Sequence, residues 1–388
     1  MSLKIAHIMI ASAYIEGASY QENILPKKHK ELGLNVFIIT SQFCYNNKKE
    51  VFLRAPEKYV NHDGIEVTIL KNNNSYFKLV SLFRKKCIGL FNELKNLDPN
   101  IIFVHGGQGW DVKDIIKYKK LHIDVKIYVD QHLDYYNAPI NTIKGYILNK
   151  CIQAPIVRRL TKYTEKFWGT TPWRVHYLNH VYKIASNKIG LLIMGGDEEK
   201  IDWKSRDEIR NKLRSNFNIR DKDFLIVTGG KIDRKKNIQL LMKAVSDLKI
   251  DSIKLAVFGV PDNEMKSEFD ELSQNINIRS VGWIKSEVAY DWFLSSDLAF
   301  FPGTHSVLWE QAVACGIPIV CKYWEGMTHV NVGGNAIFIN DPTVENIKEL
   351  ILWIVNSEQY NKMFDIAQNK SRFEFQYIEI AKRSIELV

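Results

Sequence analysis

No stretch of the 388-residue sequence reaches the roughly 18 consecutive uncharged apolar residues that mark a membrane-spanning helix. Its first thirty residues also lack the charged, apolar and small-residue succession of a secretory leader. Both absences point to a cytoplasmic protein. Cysteine is sparse: Cys44, Cys87, Cys151, Cys315 and Cys321 are scattered, odd in number and free of any Cys-x-x-Cys pair. That argues against a disulfide framework and a zinc site, and leaves packing roles in a reducing compartment. Neither a Gly-x-Gly-x-x-Gly fingerprint nor a Walker sequence is present. HGGQGWDV (105–112) comes nearest, but Val112 stands where the third glycine belongs, which argues against a nicotinamide site. No internal repeat and no low-complexity tract occurs.

What is present is enough apolar residue, 46% of the chain, to bury two ordinary cores. Charge is uneven. Residues 1–190 hold 28 Lys+Arg against 15 Asp+Glu, and residues 191–388 hold 25 against 29, so a net +9 divides into +13 and −4. A basic half suits an anionic partner, such as nucleic acid, a membrane surface or a phosphorylated acceptor; a solvated basic face is the plain alternative.

Short β-branched runs, KIAHIMIAS (4–12), NVFIITS (35–41), IEVTIL (65–70), DPNIIFVHG (98–106) and VKIYVDQH (125–132), alternate with helical patterns. The scheme restarts at FLIVTGG (224–230) and continues through IKLAVFG, INIRSVGW, LAFFPG and IPIVCKYW. Such alternation predicts α/β architecture: two doubly wound parallel-sheet domains in tandem. The expected division is 1–190 and 191–370, with a last helix near 371–388 packing back on the first domain.

Ligands of open parallel sheets sit outside the carboxyl ends of the strands, so the strand-to-helix loops hold the candidates. Gly17-Ala18-Ser19 precedes a helix whose free amides suit phosphate. GGKIDRKKN (229–237) sets Lys231, Arg234, Lys235 and Lys236 at a helix mouth, where cations clamp a diphosphate or form a solvated turn. In FFPGTHSVLWEQAVACGIPIV (300–320), Ser306 is placed to cap a helix, and the Ser306 and Val307 amides to face an anion. Glu310 lies one turn in, among apolar neighbours, and needs hydroxyl or cationic partners. VDQHLDYYN (129–137) ends a strand with His132 between Asp130 and Asp134, a position suited to meeting a reacting hydroxyl. Asp221-Lys222-Asp223 reads as a solvated turn. SYFKLVSLFRKKCIGLFNELKNL (75–97) has the mixture of an interfacial helix, or of a core-packed one with a basic outer face.

Taken in order, these loops resemble the family-four retaining glycosyltransferases. In that family Gly-Arg followed five residues later by Lys binds the donor diphosphate; Gly230-Lys231 and Lys236 stand in register. Glu310-Gln311-Ala312-Val313-Ala314-Cys315-Gly316-Ile317-Pro318 matches the family's Glu-Ala-Met-Ala-x-Gly-x-Pro element, which makes Glu310 the implied ribose ligand. Gly17 matches a loop glycine, His132 a histidine near the transferred sugar, and Gly196-Asp197 a junction element. The resemblance implies two Rossmann-like domains of the GT-B fold with a cleft between them. It implies a nucleotide diphosphate sugar, UDP-linked by expectation, as co-substrate, with no other cofactor and no metal. Lys231, Lys236, Ser306 and Val307 would hold the diphosphate and Trp283 the base. The implied partners are a glycan or lipid-linked acceptor in capsule or lipopolysaccharide biosynthesis and an anionic membrane surface on the inner face, not nucleic acid. One position departs: Pro302 stands where the family places a second, sugar-side glutamate, and His305 or Thr304 is the expected substitute. A sugar-nucleotide epimerase of the same fold and a non-catalytic partner subunit are the rival readings.

Overall fold

The computed structural model describes residues 2–11, 14–16, 21–45, 51–73 and 86–387. They form two compact units: Met1–Ile193 together with Ile380–Val388, and Met194–Glu379. Of the last helical stretch, only the part from Ile380 lies in the first unit; 371–379 lie in the second.

The β-branched runs become strands because alternate side chains on both faces find apolar cover, as a parallel sheet requires. The first unit contains β1 (Lys4–Met9), β2 (Asn35–Ser41), β3 (Phe43–Tyr45), β4 (Val51–Leu53), β5 (Glu57–Val60), β6 (Glu66–Leu70), β7 (Ile101–His105), β8 (Lys126–Gln131), β9 (Lys166–Gly169) and β10 (Ile189–Leu191). Its main sheet runs β10-β9-β8-β7-β1-β2-β6-β5, parallel except where β5 meets β6. Strands β3 and β4 form a separate antiparallel ribbon. The chain builds outward from β1 in one direction and from β7 in the other, so the order reverses between these two strands. Ile5, Ile8, Phe103, Ile127 and Val129 are buried in this sheet. Among them His7 is also fully buried, a polar side chain on a strand otherwise filled with aliphatics.

The second unit contains β11 (Phe224–Gly229), β12 (Ile253–Phe258), β13 (Ile278–Gly282), β14 (Leu298–Phe301), β15 (Ile319–Lys322) and β16 (Ala336–Ile339), all parallel, in the order β13-β12-β11-β14-β15-β16. Here the order reverses between β11 and β14, where an open α/β sheet leaves a crevice at its carboxyl edge. The helix Val344–Asn356 shows how the elements form. Thr343 caps it by accepting from the Asn346 N–H, and Ile347, Ile351 and Ile354 recur at helical spacing to bury one face. Arg214 is almost fully buried, and its Nη2 lies 2.7 Å from Asp297 Oδ2. That same oxygen accepts from Leu225 N at 2.7 Å, fixing the start of β11 beside β14.

One expectation is corrected here, and one of two alternatives is favoured. Asp223 is buried, accepting from Arg220 N and Arg220 Nε at 2.9 Å each, so the Asp-x-Asp turn is tied down by its own arginine rather than solvated. In the 75–97 segment, residues 75–85 lie outside the described residues. The helix Leu90–Leu97 buries Leu90 and Leu94 in the core, so that portion packs inward.

Candidate functional site

Two loops meet at the switch point of the second unit, one leaving β11 and one leaving β14. Gly230 has φ +109°, a left-handed conformation that side chains resist, and it turns the chain out of β11. Asp233 accepts from the Lys235 and Lys236 N–H groups at 3.1 and 3.2 Å and shapes the basic residues into one tight turn. Gly303 lies so close that a β-carbon there would fall on the backbone of Lys235 and Lys236, so only glycine lets the loops touch.

Four successive carbonyls of the β14 loop are held from outside. Pro302 O accepts from Asn237 Nδ2 at 3.2 Å and Gly303 O from Trp324 Nε1 at 3.2 Å. Lys236 Nζ donates to Thr304 O at 2.7 Å and His305 O at 3.0 Å. Thr304 N is used as well, donating to Lys235 O. The N–H groups of Ser306 and Val307 find no partner among the described residues. The expected Ser306 cap is not made. Val307 is already in helical conformation at the start of the helix Leu308–Ala314, and no side chain caps it.

Glu310 is fully buried. Its Oε1 accepts from His305 Nε2 and His329 Nε2, each at 2.8 Å, while Oε2 has no partner among the described residues. Burial alone would raise this carboxyl's pKa, but the two imidazoles outweigh it and hold the group well below the usual carboxylate range. An anion is thus kept ready at depth with one oxygen saturated and the other bare. His305, Glu310 and His329 are also, among the described residues, the one histidine-carboxylate cluster tight enough to share a cation. Both nitrogens sit at hydrogen-bond length from a single oxygen, whereas ligand atoms around tetrahedral zinc lie about 3.3 Å apart at Zn–N near 2.0 Å. The observed distances are those of two hydrogen bonds.

The sequence-derived candidates divide accordingly. Lys236, His305, Ser306, Val307 and Glu310 come together. Lys231 follows β11 at the same edge but is 71% exposed, in a loose 3.4 Å ion pair with Asp233. Arg234 is committed to Glu268 at 2.7 Å. Trp283, after the edge strand β13, is 71% exposed. Gly17 lies outside the described residues. His329 was not anticipated: it is a lone histidine in MTHVNVGG, with no spacing signal that ties it to Glu310.

In the first unit His132 follows β8, its side chain 28% exposed, with Nε2 3.5 Å from Asp130 Oδ2. Burial disfavours its charged form, but the carboxylates of Glu22 and Asp130 prevail and its pKa is raised. Asp134 does not share in this: it accepts from the Tyr136 and Asn137 N–H groups and pairs with Arg174 at 3.2 Å, closing a turn.

Residues 209–371 match the family model of glycosyl transferases group 1. This part of the chain is similar to the group 1 glycosyltransferases. D-inositol 3-phosphate glycosyltransferase 1 of Catenulispora acidiphila is 24% identical over 209 residues, 48% of this chain and 49% of that protein, so the chain spans about half the length of the curated relative it matches. Anabaena Alr3699/HepE in complex with UDP superposes with a TM-score of 0.67 at 12% identity, covering 100% of this chain and 99% of that one. UDP-GlcNAc 2-epimerase from Neisseria meningitidis, bound to UDP-GlcNAc, gives 0.60 at 13% identity with coverage of 100% and 99%. The shared feature at such identities is the fold: the group 1 domain and its companion are the Rossmann-like pair of the GT-B architecture.

Proposed function

We propose that the protein is a retaining, metal-independent glycosyltransferase. It moves a sugar from a nucleotide diphosphate sugar, most simply a UDP-sugar, to a glycan or lipid-linked acceptor in surface polysaccharide biosynthesis. The observation that carries this reading is Glu310. A fully buried carboxylate oxygen with no protein partner is costly unless a ligand supplies a donor, and a ribose hydroxyl does so without adding charge. The loops around it complete a donor site: Lys236 and Lys231 face the diphosphate, the free Ser306 and Val307 amides add donors, and Trp283 stands at the base end. The family match and the UDP complexes of its structural neighbours support the choice of donor. His132, with its raised pKa, takes the acceptor-side role.

Glu310→Gln is expected to weaken UDP binding about ten- to a hundredfold, since one charge-assisted hydrogen bond is worth roughly 1.5–3 kcal/mol. Titration calorimetry checks this, and unchanged affinity would remove Glu310 from the ribose. The epimerase reading is favoured by the fold likeness to UDP-GlcNAc 2-epimerase. It predicts an altered free nucleotide sugar with no acceptor present, whereas transfer releases nucleoside diphosphate only with acceptor and yields a product of unchanged anomeric form.

The membrane-facing surface proposed here lies elsewhere than 75–97. Residues 135–164 contain no Asp or Glu but do contain Lys144, Lys150, Arg158, Arg159 and Lys162. This stretch carries Tyr136, Ile143 and Ile147, exposed by 76%, 83% and 49%, around the helical run that opens with Ile143–Tyr146. Apolar tips among bases with no acid suit an anionic bilayer. Replacing Lys144 and Lys150 by Glu should lower binding to phosphatidylglycerol vesicles at least tenfold, given about 1 kcal/mol for each basic residue near the surface. Absence of any salt-sensitive vesicle binding by the native chain would dismiss the surface.

A further inference from the structure

Inside the first unit a row of imidazoles runs from the end of β8 to the C-terminal helix. Asp130 Oδ2 lies 2.9 Å from His105 Nδ1, His105 Nε2 lies 3.0 Å from His7 Nδ1, and His7 Nε2 lies 3.0 Å from His29 Nδ1. His29 Nε2 in turn faces Ala381 O at 3.1 Å and Ser384 Oγ at 3.0 Å. All three rings and Asp130 are buried, and Phe103 packs against the row. The facing charged groups are few: His132 on the far side of Asp130, then Glu22 and Arg174 around His132.

Hydrogen-bond accounting fixes the direction of this row. A carbonyl only accepts, whereas the Ser384 hydroxyl can turn toward Ala381 O at 2.8 Å or toward His29 Nε2 at 3.0 Å. A hydrogen on His29 Nε2 satisfies both oxygens, while a bare Nε2 would set its lone pair against the carbonyl 3.1 Å away. Burial holds the pKa of His29 down at about 4 and that of His7 well below the usual histidine range, so each ring is neutral and bears one hydrogen only. His29 Nδ1 then accepts from His7 Nε2–H, and His7 Nδ1 accepts from His105 Nε2–H. His105 Nδ1 still faces a carboxylate, and a hydrogen must lie between them. The row holds one proton more than three neutral imidazoles and an acid anion supply.

We propose that His105, His7 and His29 are positioning residues for His132: they carry one bound proton in the His105–Asp130 bond, fix Asp130 beside His132, and tie that state to the C-terminal helix. Loss of the proton reverses the row. Each imidazole would then keep one hydrogen, on Nδ1, pointing toward Asp130, and His29 Nε2 would present a lone pair to the Ala381 carbonyl. The row is thus a two-state element, and one proton biases both ends. The consequence for sugar transfer rests on the proposed role of His132; the proton count does not.

The test is long-range ¹H–¹⁵N correlation on the ¹⁵N-histidine-labelled full chain at neutral pH. His29 and His7 should show hydrogen on Nε2 and a bare Nδ1, and His105 hydrogen on both nitrogens. Hydrogen on Nδ1 of His29 or His7, or a singly protonated His105, overturns the proposal. His29→Phe removes the acceptor for His7, so His105, which it does not touch, should lose its Nε2 hydrogen; a purely local role would leave His105 unmoved. His29→Gln retains a donor for Ala381 and an acceptor for His7, and should keep His105 doubly protonated, which decides the matter if the phenylalanine variant does not fold. With transfer as readout, His29→Phe should lower kcat about tenfold with donor KM unchanged, as misplacement of a remote group does. Unchanged kcat removes the positioning role even where the tautomers agree. A native chain that transfers from no donor would refute the functional reading and leave the proton count intact.

Discussion

Lys236→Ala is expected to reduce turnover by about 10²–10³-fold while the chain remains folded, the loss typical of removing one preorganised charge-stabilising donor. The ammonium has three hydrogens. Two are spent on the Thr304 and His305 carbonyls, which fixes both the lysine and the loop beneath the Ser306 and Val307 amides. The third is left for a phosphoryl oxygen of the proposed donor. Charge on that oxygen grows as the glycosidic bond breaks, so this contact strengthens in the transition state more than in the ground state and appears in kcat. Burial lowers the lysine's pKa, with Asp233 opposing, as expected of an ammonium held out of water where its field is least screened. Lys231→Ala is the internal comparison. Its exposed side chain has only the loose partner Asp233, so screening should limit its effect to about tenfold or less. Steady-state release of nucleoside diphosphate from the donor measures both. A Lys236→Ala loss within about threefold would remove it from the leaving-group site.

Much of the proposed donor site was legible in the sequence because each half of it is local. Strand, glycine turn and basic cluster run on from β11 to Lys236, strand, glycine loop and Glu310 run on from β14, and the rule that ligands sit at strand carboxyl ends places both. What pairs with Glu310 was not legible. His329 is 19 positions away, across β15, and only the fold brings its ring to the carboxylate. His305 was singled out as a stand-in for the acid missing at Pro302, yet its Nε2 serves Glu310, leaving Nδ1 to meet any ligand. Ser306 has the composition of a cap, but Val307 turns helical first, and composition does not encode that. The imidazole row shows the limit most plainly. His7, His29 and His105 are separated by up to 98 positions, each alone resembles a buried structural histidine, and parallel pairing of β1 with β7 sets His7 opposite Phe103, two residues from His105 on the same face. The one local hint was His7 itself, a polar residue in the middle of an aliphatic strand.

The same row predicts that, as the pH is lowered from 7 to 5, His29 takes about 2 kcal/mol of stability from the first unit, with His7 acting in the same direction. An unfolded histidine takes up its proton near pH 6.5. In the fold, burial delays that uptake to about 4 for His29 and well below the ordinary value for His7. Across this window the unfolded chain binds protons that the folded chain refuses, so stability is full above the unfolded pKa and falls as pH drops through it. At pH 5 the deficit from His29 is about 2 kcal/mol. Asp111 works against it, because burial pushes its carboxyl up to about 7 and the fold takes up a proton between pH 7 and 5 that the unfolded chain does not. Asp130 adds nothing in this window: its carboxyl is held below its ordinary value, so its contribution persists until pH falls past the unfolded value near 4. His132, with a raised pKa, contributes stability below 6.5 that fades at higher pH, but it is partly exposed and its share is correspondingly small. Urea unfolding, followed by hydrogen exchange at amides of β1 and β7, should therefore show His29→Gln gaining about 2 kcal/mol on the native chain as the pH falls from 7 to 5. Glutamine takes the same two hydrogen bonds and does not titrate, so the difference between the two proteins isolates His29 and cancels Asp111. A difference that stays level across the range would mean that His29 accepts a proton in the fold as readily as in solution, and the neutral ring on which the direction of the row depends would be lost with it.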